Sequence, residues 1–386
     1  MAADIHEITR REFLNAAAGL VPAATYFEQT PDLKHLGNIP LAPPGVTRRP
    51  LERLVGSGLS ARLSTDLSKI VSADALATDT FFVRTAAPQR LPERIERDRW
   101  AIEIGGVAES PPRVTAASLE TLTPHTGRYL LECSGNSDPS TYGLLSTADW
   151  EGVLLLDLVD RVMPSSSTAA SRILVAGLDD DDDPGKTSTP GASWIFSRDD
   201  LSRALLAFEM NGAPLPRDHG APVRLIVPGW YGCACIKWVN RIALVPDNAA
   251  ATTQMREFAG RTHQTSPHDL ARDYSPAVID TAAMPIRIEK WAGRDGRVFY
   301  LVAGIMWGGR KPTNQLSIRF KSNLPWTRVE HCALPASTDS WSIWTHTWRP
   351  EAPGRYTIVL RVDDPAIRTR RLDLYFYARD VEIADG

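Results

Sequence analysis

The chain has 386 residues, 43% hydrophobic and 23% charged, with a formal net charge of -3. That length and balance suit a globular protein of two or three domains. The near-neutral charge gives no electrostatic reason to expect nucleic acid or an anionic membrane as a partner, and no apolar run reaches bilayer-spanning length.

At the N-terminus, Thr9-Arg10-Arg11-Glu12-Phe13-Leu14 precedes a short, weakly apolar stretch at 15–24. Paired arginines followed by Phe-Leu resemble a twin-arginine export signal. Residues 1–25 are therefore expected to be a signal and the mature protein periplasmic. The other reading is a short amphipathic surface helix on a cytoplasmic protein. Residues 30–60 hold Pro40, Pro43, Pro44 and Pro50 with little periodicity and read as an extended arm wrapping a domain.

From about residue 80 the pattern is mixed. Apolar strands are expected at 99–107, 128–133, 172–178 and 223–227, and helical runs at 152–162 and 199–208. Ser197 is a plausible N-cap for the second run, which has acids in its first turn. Short strands and helices in this order indicate an α+β domain over 26–280 rather than a regular parallel array. After 280, seven short alternating segments follow at 286–291, 298–307, 315–321, 327–333, 342–348, 355–362 and 371–377, separated by turn signals such as Gly308-Gly309. This spacing predicts an immunoglobulin-like antiparallel β-sandwich over 281–386. It holds six of the 11 tryptophans, most of them expected in its core.

The segment 128–136 carries the most chemical information. An apolar strand delivers Cys133 into the turn Ser134-Gly135-Asn136. On these residues alone, a small buried hydrophobe and a reactive or metal-ligating thiolate stay equally open. The other three cysteines, Cys233, Cys235 and Cys332, form no paired CxxC zinc pattern, and no CxxCH haem-attachment motif occurs.

Four motifs in register then resemble one family. They are Thr80-Phe81-Phe82-Val83-Arg84; Cys133-Ser134-Gly135-Asn136; the run 210–224 with Arg217-Asp218-His219-Gly220 and Arg224; and the run 227–238 with Gly229, Gly232 and Cys235-Ile236-Lys237-Trp238. Together they resemble the sulfite oxidase family of molybdopterin enzymes, from about residue 80 to the end. The resemblance implies a molybdenum-molybdopterin cofactor, no haem, and Cys133 as the metal's protein ligand; a soft thiolate suits such a centre. It places Phe82, Arg84, Asp179, His219, Arg224, Cys235, Ile236 and Lys237 at the cofactor pocket. An anionic phosphate-bearing cofactor needs such cations and backbone N–H donors. The side chains of Cys233 and Cys235 are expected to pack, and Cys332 to lie in a sandwich strand.

The resemblance further implies oxygen-atom transfer to a sulfur substrate such as sulfite, electrons passing to an external acceptor such as cytochrome c, and a homodimer formed through the sandwich. One departure bears on the substrate. Asp138 stands where sulfite-oxidising relatives carry an anion-holding arginine. A carboxylate about 6 Å from a substrate charge would cost on the order of 3 kcal/mol, roughly a hundredfold in binding. Arg84 and Arg310 remain as anion holders, with Asp138 the third substrate-facing candidate. A neutral S-oxide substrate, such as methionine sulfoxide, is the rival reading. A non-catalytic molybdopterin-binding protein is the second.

Overall fold

Alternating and continuous apolar runs drive most of the chain into sheet. The structure, a computed structural model, describes residues 33–45, 54–85, 91–106, 114–162, 172–180, 192–293 and 295–384. The export-signal reading at 1–25 and the acidic residues Asp181, Asp182 and Asp183 lie outside the described residues.

Two sheets carry the region of the motifs. In one, Leu145–Leu154 lies between His125–Glu132 and Leu205–Met210, and Leu205–Met210 also pairs Arg224–Ile226. The other runs Ser193–Ser197, Arg172–Gly177, Val239–Val245, Ala101–Gly105, Val114–Thr115, with Val239–Val245 and Ala101–Gly105 parallel. Helix is sparse. The described α-helices are Ala116–Leu119, Leu155–Val162 and Thr253–Glu257, and none is long and apolar enough to cross a membrane. The α+β expectation is thus corrected toward sheet.

Two helical expectations change. At 152–162 the strand continues to Leu154 and the helix begins at Leu155. At 199–208, Ser197 and Asp200 do form reciprocal side-chain caps, but only the 3-10 turn Asp199–Leu201 follows. Residues 205–210 become a strand because sheet partners on both sides satisfy their backbone. A short apolar run cannot by itself separate a buried strand from a helix.

The C-terminal region forms two sheets. One is five-stranded, in the order Lys34–Ile39, Ala282–Ala292, Val298–Trp307, Ser342–Trp348, His331–Cys332. The other is four-stranded, in the order Thr327–Arg328, Leu316–Arg319, Gly354–Val362, Arg379–Ile383. The expected strand at 327–333 divides into two short pieces, one in each sheet. Residues 371–377 form turns instead of a strand, with Leu374 bonded back to Arg371 and Tyr377 to Leu374, and the last strand is Arg379–Ile383. The N-terminal arm contributes Lys34–Ile39 to the edge of the five-stranded sheet, and Ala42 bridges to Asp380. One continuous apolar cluster joins all these layers, from Leu67 to Ile383.

Candidate active site

Strand His125–Glu132 pairs with Leu145–Leu154 along its whole length and ends immediately before Cys133. The Cys133 N–H donates to the Leu144 carbonyl at 2.9 Å, and its own carbonyl accepts the Asn136 N–H at 2.9 Å. The thiol is thereby held in a tight turn while the residue stays partly exposed. Burial pushes the thiol above its ordinary value, against the pull of the Gly135 backbone, Arg84 and Lys237. A cation bound at the sulfur would reverse that balance, since a coordinating thiol is deprotonated.

The cationic motif residues gather on elements around this turn. Arg84 lies on Val83–Arg84, half-buried and electrostatically coupled to Cys133; burial and nearby Arg62 lower its guanidinium. Lys237 donates to Thr85 Oγ1 at 2.7 Å, the Asp218 carbonyl at 2.5 Å and the Arg84 carbonyl at 3.4 Å. Burial, then Arg224, bring its ammonium down to about 7. Arg224 is buried on Arg224–Ile226, with Nη1 on the His219 carbonyl at 3.2 Å and its guanidinium 5.6 Å from the Trp150 ring. Burial lowers it to about 10.

His219 is buried edge-on to Phe81 at 5.3 Å. Burial, then Lys237 and Arg224, bring its imidazole down to about 3, so the ring is neutral. Asp179 follows Arg172–Gly177 and acts electrostatically on Lys237. Two glycines let these segments meet. A Cβ at Gly177 would fall 2.3 Å from the Lys237 carbonyl, and Gly220, at φ 109, faces the Lys237 side chain.

The remaining candidates take quieter places. Phe82 is buried, stacks on Phe81 at 5.1 Å and donates its N–H to Ser146. The Cys235 thiol accepts the Val227 N–H at 3.4 Å, and the Ile236 carbonyl accepts the Leu225 N–H at 2.8 Å. Cys233 is buried with its thiol pushed up to about 12; Cys332 is half-buried. Asp138 is exposed, and one carboxylate oxygen accepts both the Ser140 N–H at 2.8 Å and the Ser140 hydroxyl at 2.6 Å. Arg310 is exposed on the turn after Val298–Trp307.

Several residues near Cys133 are absent from the motif reading. Glu132 is buried, and its carboxylate accepts Arg370 Nη1 at 2.7 Å, Arg370 Nη2 at 2.6 Å and Trp307 Nε1 at 2.9 Å. Burial would raise this carboxyl, yet Arg370 and Trp307 hold it below its ordinary value. Tyr142 and Tyr377 join the cluster, their hydroxyls 2.8 Å apart. On the other side of Cys133, Arg261 donates Nε at 2.9 Å and also Nη2 to the Ser134 carbonyl. A charged residue at the end of the apolar run 129–131 was the one sequence signal for Glu132; Arg261 and Arg370 had none.

This chemistry fits a thiolate-ligated, anionic cofactor. Arg224 and Lys237 donate to carbonyls and a hydroxyl rather than to carboxylates, and the buried Arg224 Nε has no hydrogen-bond partner. A buried cation cluster of this kind wants an anion. Among the described residues no group of three or more His, Cys, Asp or Glu side chains could hold a metal, so a metal at Cys133 must bring most of its ligands with it.

Residues 89–253 match the oxidoreductase molybdopterin binding domain. Mitochondrial sulfite oxidase of Mus musculus is 29% identical over 248 residues, covering 58% of this chain and 44% of that protein. Sulfite oxidase of Gallus gallus is 27% identical over 310 residues, covering 74% of this chain and 66% of that protein. The chain thus spans only 44% and 66% of the length of these two relatives. The crystal structure of the sulfane dehydrogenase SoxCD from Paracoccus pantotrophus shares the fold, with a TM-score of 0.61 over 88% of this chain and 91% of that chain at 18% identity. The matched domain and these relatives support a sulfite oxidase family molybdopterin-dependent oxidoreductase, and the solved structure shows the shared fold alone.

Proposed function

We propose that the protein oxidises a reduced sulfur compound by oxygen-atom transfer, with sulfite as the first substrate to test. Electrons pass to an external acceptor such as cytochrome c, and haem is assigned to that partner rather than to this chain. The observation that carries the reading is a partly exposed thiol, Cys133, electrostatically linked to Arg84, Arg224 and Lys237, with the buried Arg224 and Lys237 donating to carbonyls and a hydroxyl.

The bound cofactor supplies the oxygen-atom exchange and a two-electron store. In this reading Cys133 supplies the thiolate. Arg224, Lys237 and neutral His219 hold the anionic part of the cofactor, with Asp179, Phe82 and the 235–236 backbone alongside. Phe81 and Trp150 wall the pocket against water. Arg84, half-buried beside Cys133, attracts an anionic substrate, and Arg310 is the second candidate for that task. Periplasmic export through Arg10 and Arg11, an immunoglobulin-like character for the C-terminal sheets, and a homodimer formed through them belong to the same proposal.

The test is turnover of cofactor-loaded protein with sulfite and ferricytochrome c, beside methionine sulfoxide with a reduced viologen. Sulfite-dependent cytochrome reduction is expected. Activity on methionine sulfoxide alone would replace the reading with S-oxide reduction. Inactivity on both, with cofactor retained, would leave a binding protein.

A further inference from the structure

The tripeptide Glu132-Cys133-Ser134 is gripped on both sides of the thiol by side chains distant in sequence. Arg370 takes the Glu132 carboxylate in a two-pronged contact at 2.7 and 2.6 Å. Arg261, from the 3-10 turn Ala259–Thr262, places Nε and Nη2 on the Ser134 carbonyl. Both guanidiniums lie over one buried ring, that of Tyr231, with Cζ atoms 4.9 Å and 5.4 Å from its centroid. The loop bearing Tyr231 closes the contact through backbone: Gly232 N–H donates to the Glu132 carbonyl at 2.8 Å, and Cys233 N–H to Ser134 Oγ at 3.3 Å.

We propose that Arg261, Tyr231 and Arg370 form a clamp that positions the Cys133 sulfur for the metal. A guanidinium is a rigid planar fork, so each contact fixes direction as well as distance. The shared aromatic face sets the two forks relative to each other. Neither arginine touches the thiol; both act through the residues flanking it, as outer-shell partners orient a metal ligand. Arg370 lies in the connection between the C-terminal strands Gly354–Val362 and Arg379–Ile383, and Trp307 on Val298–Trp307 adds its indole N–H to the same carboxylate. The C-terminal region is thereby a part of the thiol's support. Glu132 carries a charge that Arg370 matches, leaving the Arg261 cation on the thiol's far side.

The ligand role of Cys133 rests on the proposed function, but the clamp can be read without it. In cofactor-free full-length protein on a Cys332→Ala background, iodoacetamide labelling of Cys133 is followed by peptide mass spectrometry. Arg261→Met and Tyr231→Leu are expected to label at least tenfold faster than the parent, and Arg261→Lys in between. In cofactor-loaded protein, matched for molybdenum and pterin content, the same variants are expected to shift the sulfur-to-molybdenum absorption band and lower kcat at least tenfold with KM little changed.

Equal labelling rates in Arg261→Met and parent would overturn the clamp, as would an unmoved absorption band in fully loaded variants. Arg261 is half-buried and outside the buried ion pair, so its variants keep the test open if Arg370 variants fail to fold. A parent protein that takes up no molybdenum would count against the proposed function, while the labelling result would still decide the clamp.

Discussion

The Arg370 guanidinium meets the Glu132 carboxylate in two parallel hydrogen bonds, 2.7 and 2.6 Å long, between residues 238 positions apart. Their side chains are 9% and 2% exposed, so neither charge has water to fall back on. Removing one partner leaves the other buried and uncompensated, at about 3–5 kcal/mol. Arg370→Met is expected to lose that much in urea unfolding, and Glu132→Gln with Arg370→Met together less than the sum of the two single variants. Additive losses would show that the pair is not coupled.

Cys133→Ser nearly preserves volume at a partly exposed turn whose backbone bonds do not involve the sulfur. The variant is expected to keep its far-UV circular dichroism and to melt within a few degrees of the parent, while sulfite turnover falls below detection. Normal turnover in that variant would remove Cys133 from the metal's ligands.

The pH dependence of anion binding follows from Lys237. In the cofactor-free protein its ammonium is lowered from 10.5 to about 7, by burial first and Arg224 next. A bound anion favours the charged form, so binding above pH 7 takes up a proton. Affinity for inorganic pyrophosphate is therefore expected to be highest below pH 7 and to fall as pH rises through 7, by up to about tenfold per unit. Calorimetry in two buffers of different ionisation enthalpy measures the proton uptake, and Lys237→Met should abolish it. The same group sets a stability trend. The unfolded chain binds more protons than the folded one between about 7 and 10.5, so this lysine makes cofactor-free stability rise with pH across that window.

Asp138 supplies a test of the substrate side. Sequence position alone would make its carboxylate repel an anionic substrate. Instead the carboxylate is exposed and accepts two hydrogen bonds from Ser140, where solvent and salt screen it. Asp138→Asn is expected to change KM for sulfite by less than about threefold. A fall of about a hundredfold would mean that the carboxylate faces the substrate after all.

Much of the candidate site was open to reading from sequence because the chemistry proposed for it depends on residue type. Cys133, His219, Arg224 and Lys237 stand within short runs whose glycines and apolar flanks position them locally, and the strands at 128–133 and 172–178 announced themselves by apolar character. The 199–210 stretch was less legible: its Ser197–Asp200 cap is real, yet sheet partners from 145–154 and 224–226 outcompete the helix. Residues 371–377 were misread because their alternation matches a strand, whereas Arg370 and Tyr377 turn inward to reach Glu132 and Tyr142.

The sequence by itself determined the class of chemistry: one placed thiol, a set of cations suited to an anionic cofactor, and a strand-rich C-terminal region. Those properties follow from side-chain charge, softness and local periodicity. Only the tertiary structure decided that Asp138 bonds to its own turn, that Glu132 is a buried partner of Arg370, and that Arg261 and Arg370 share the ring of Tyr231. Such relations depend on where the chain path brings distant segments together, and a partner 238 residues away leaves no local pattern to read.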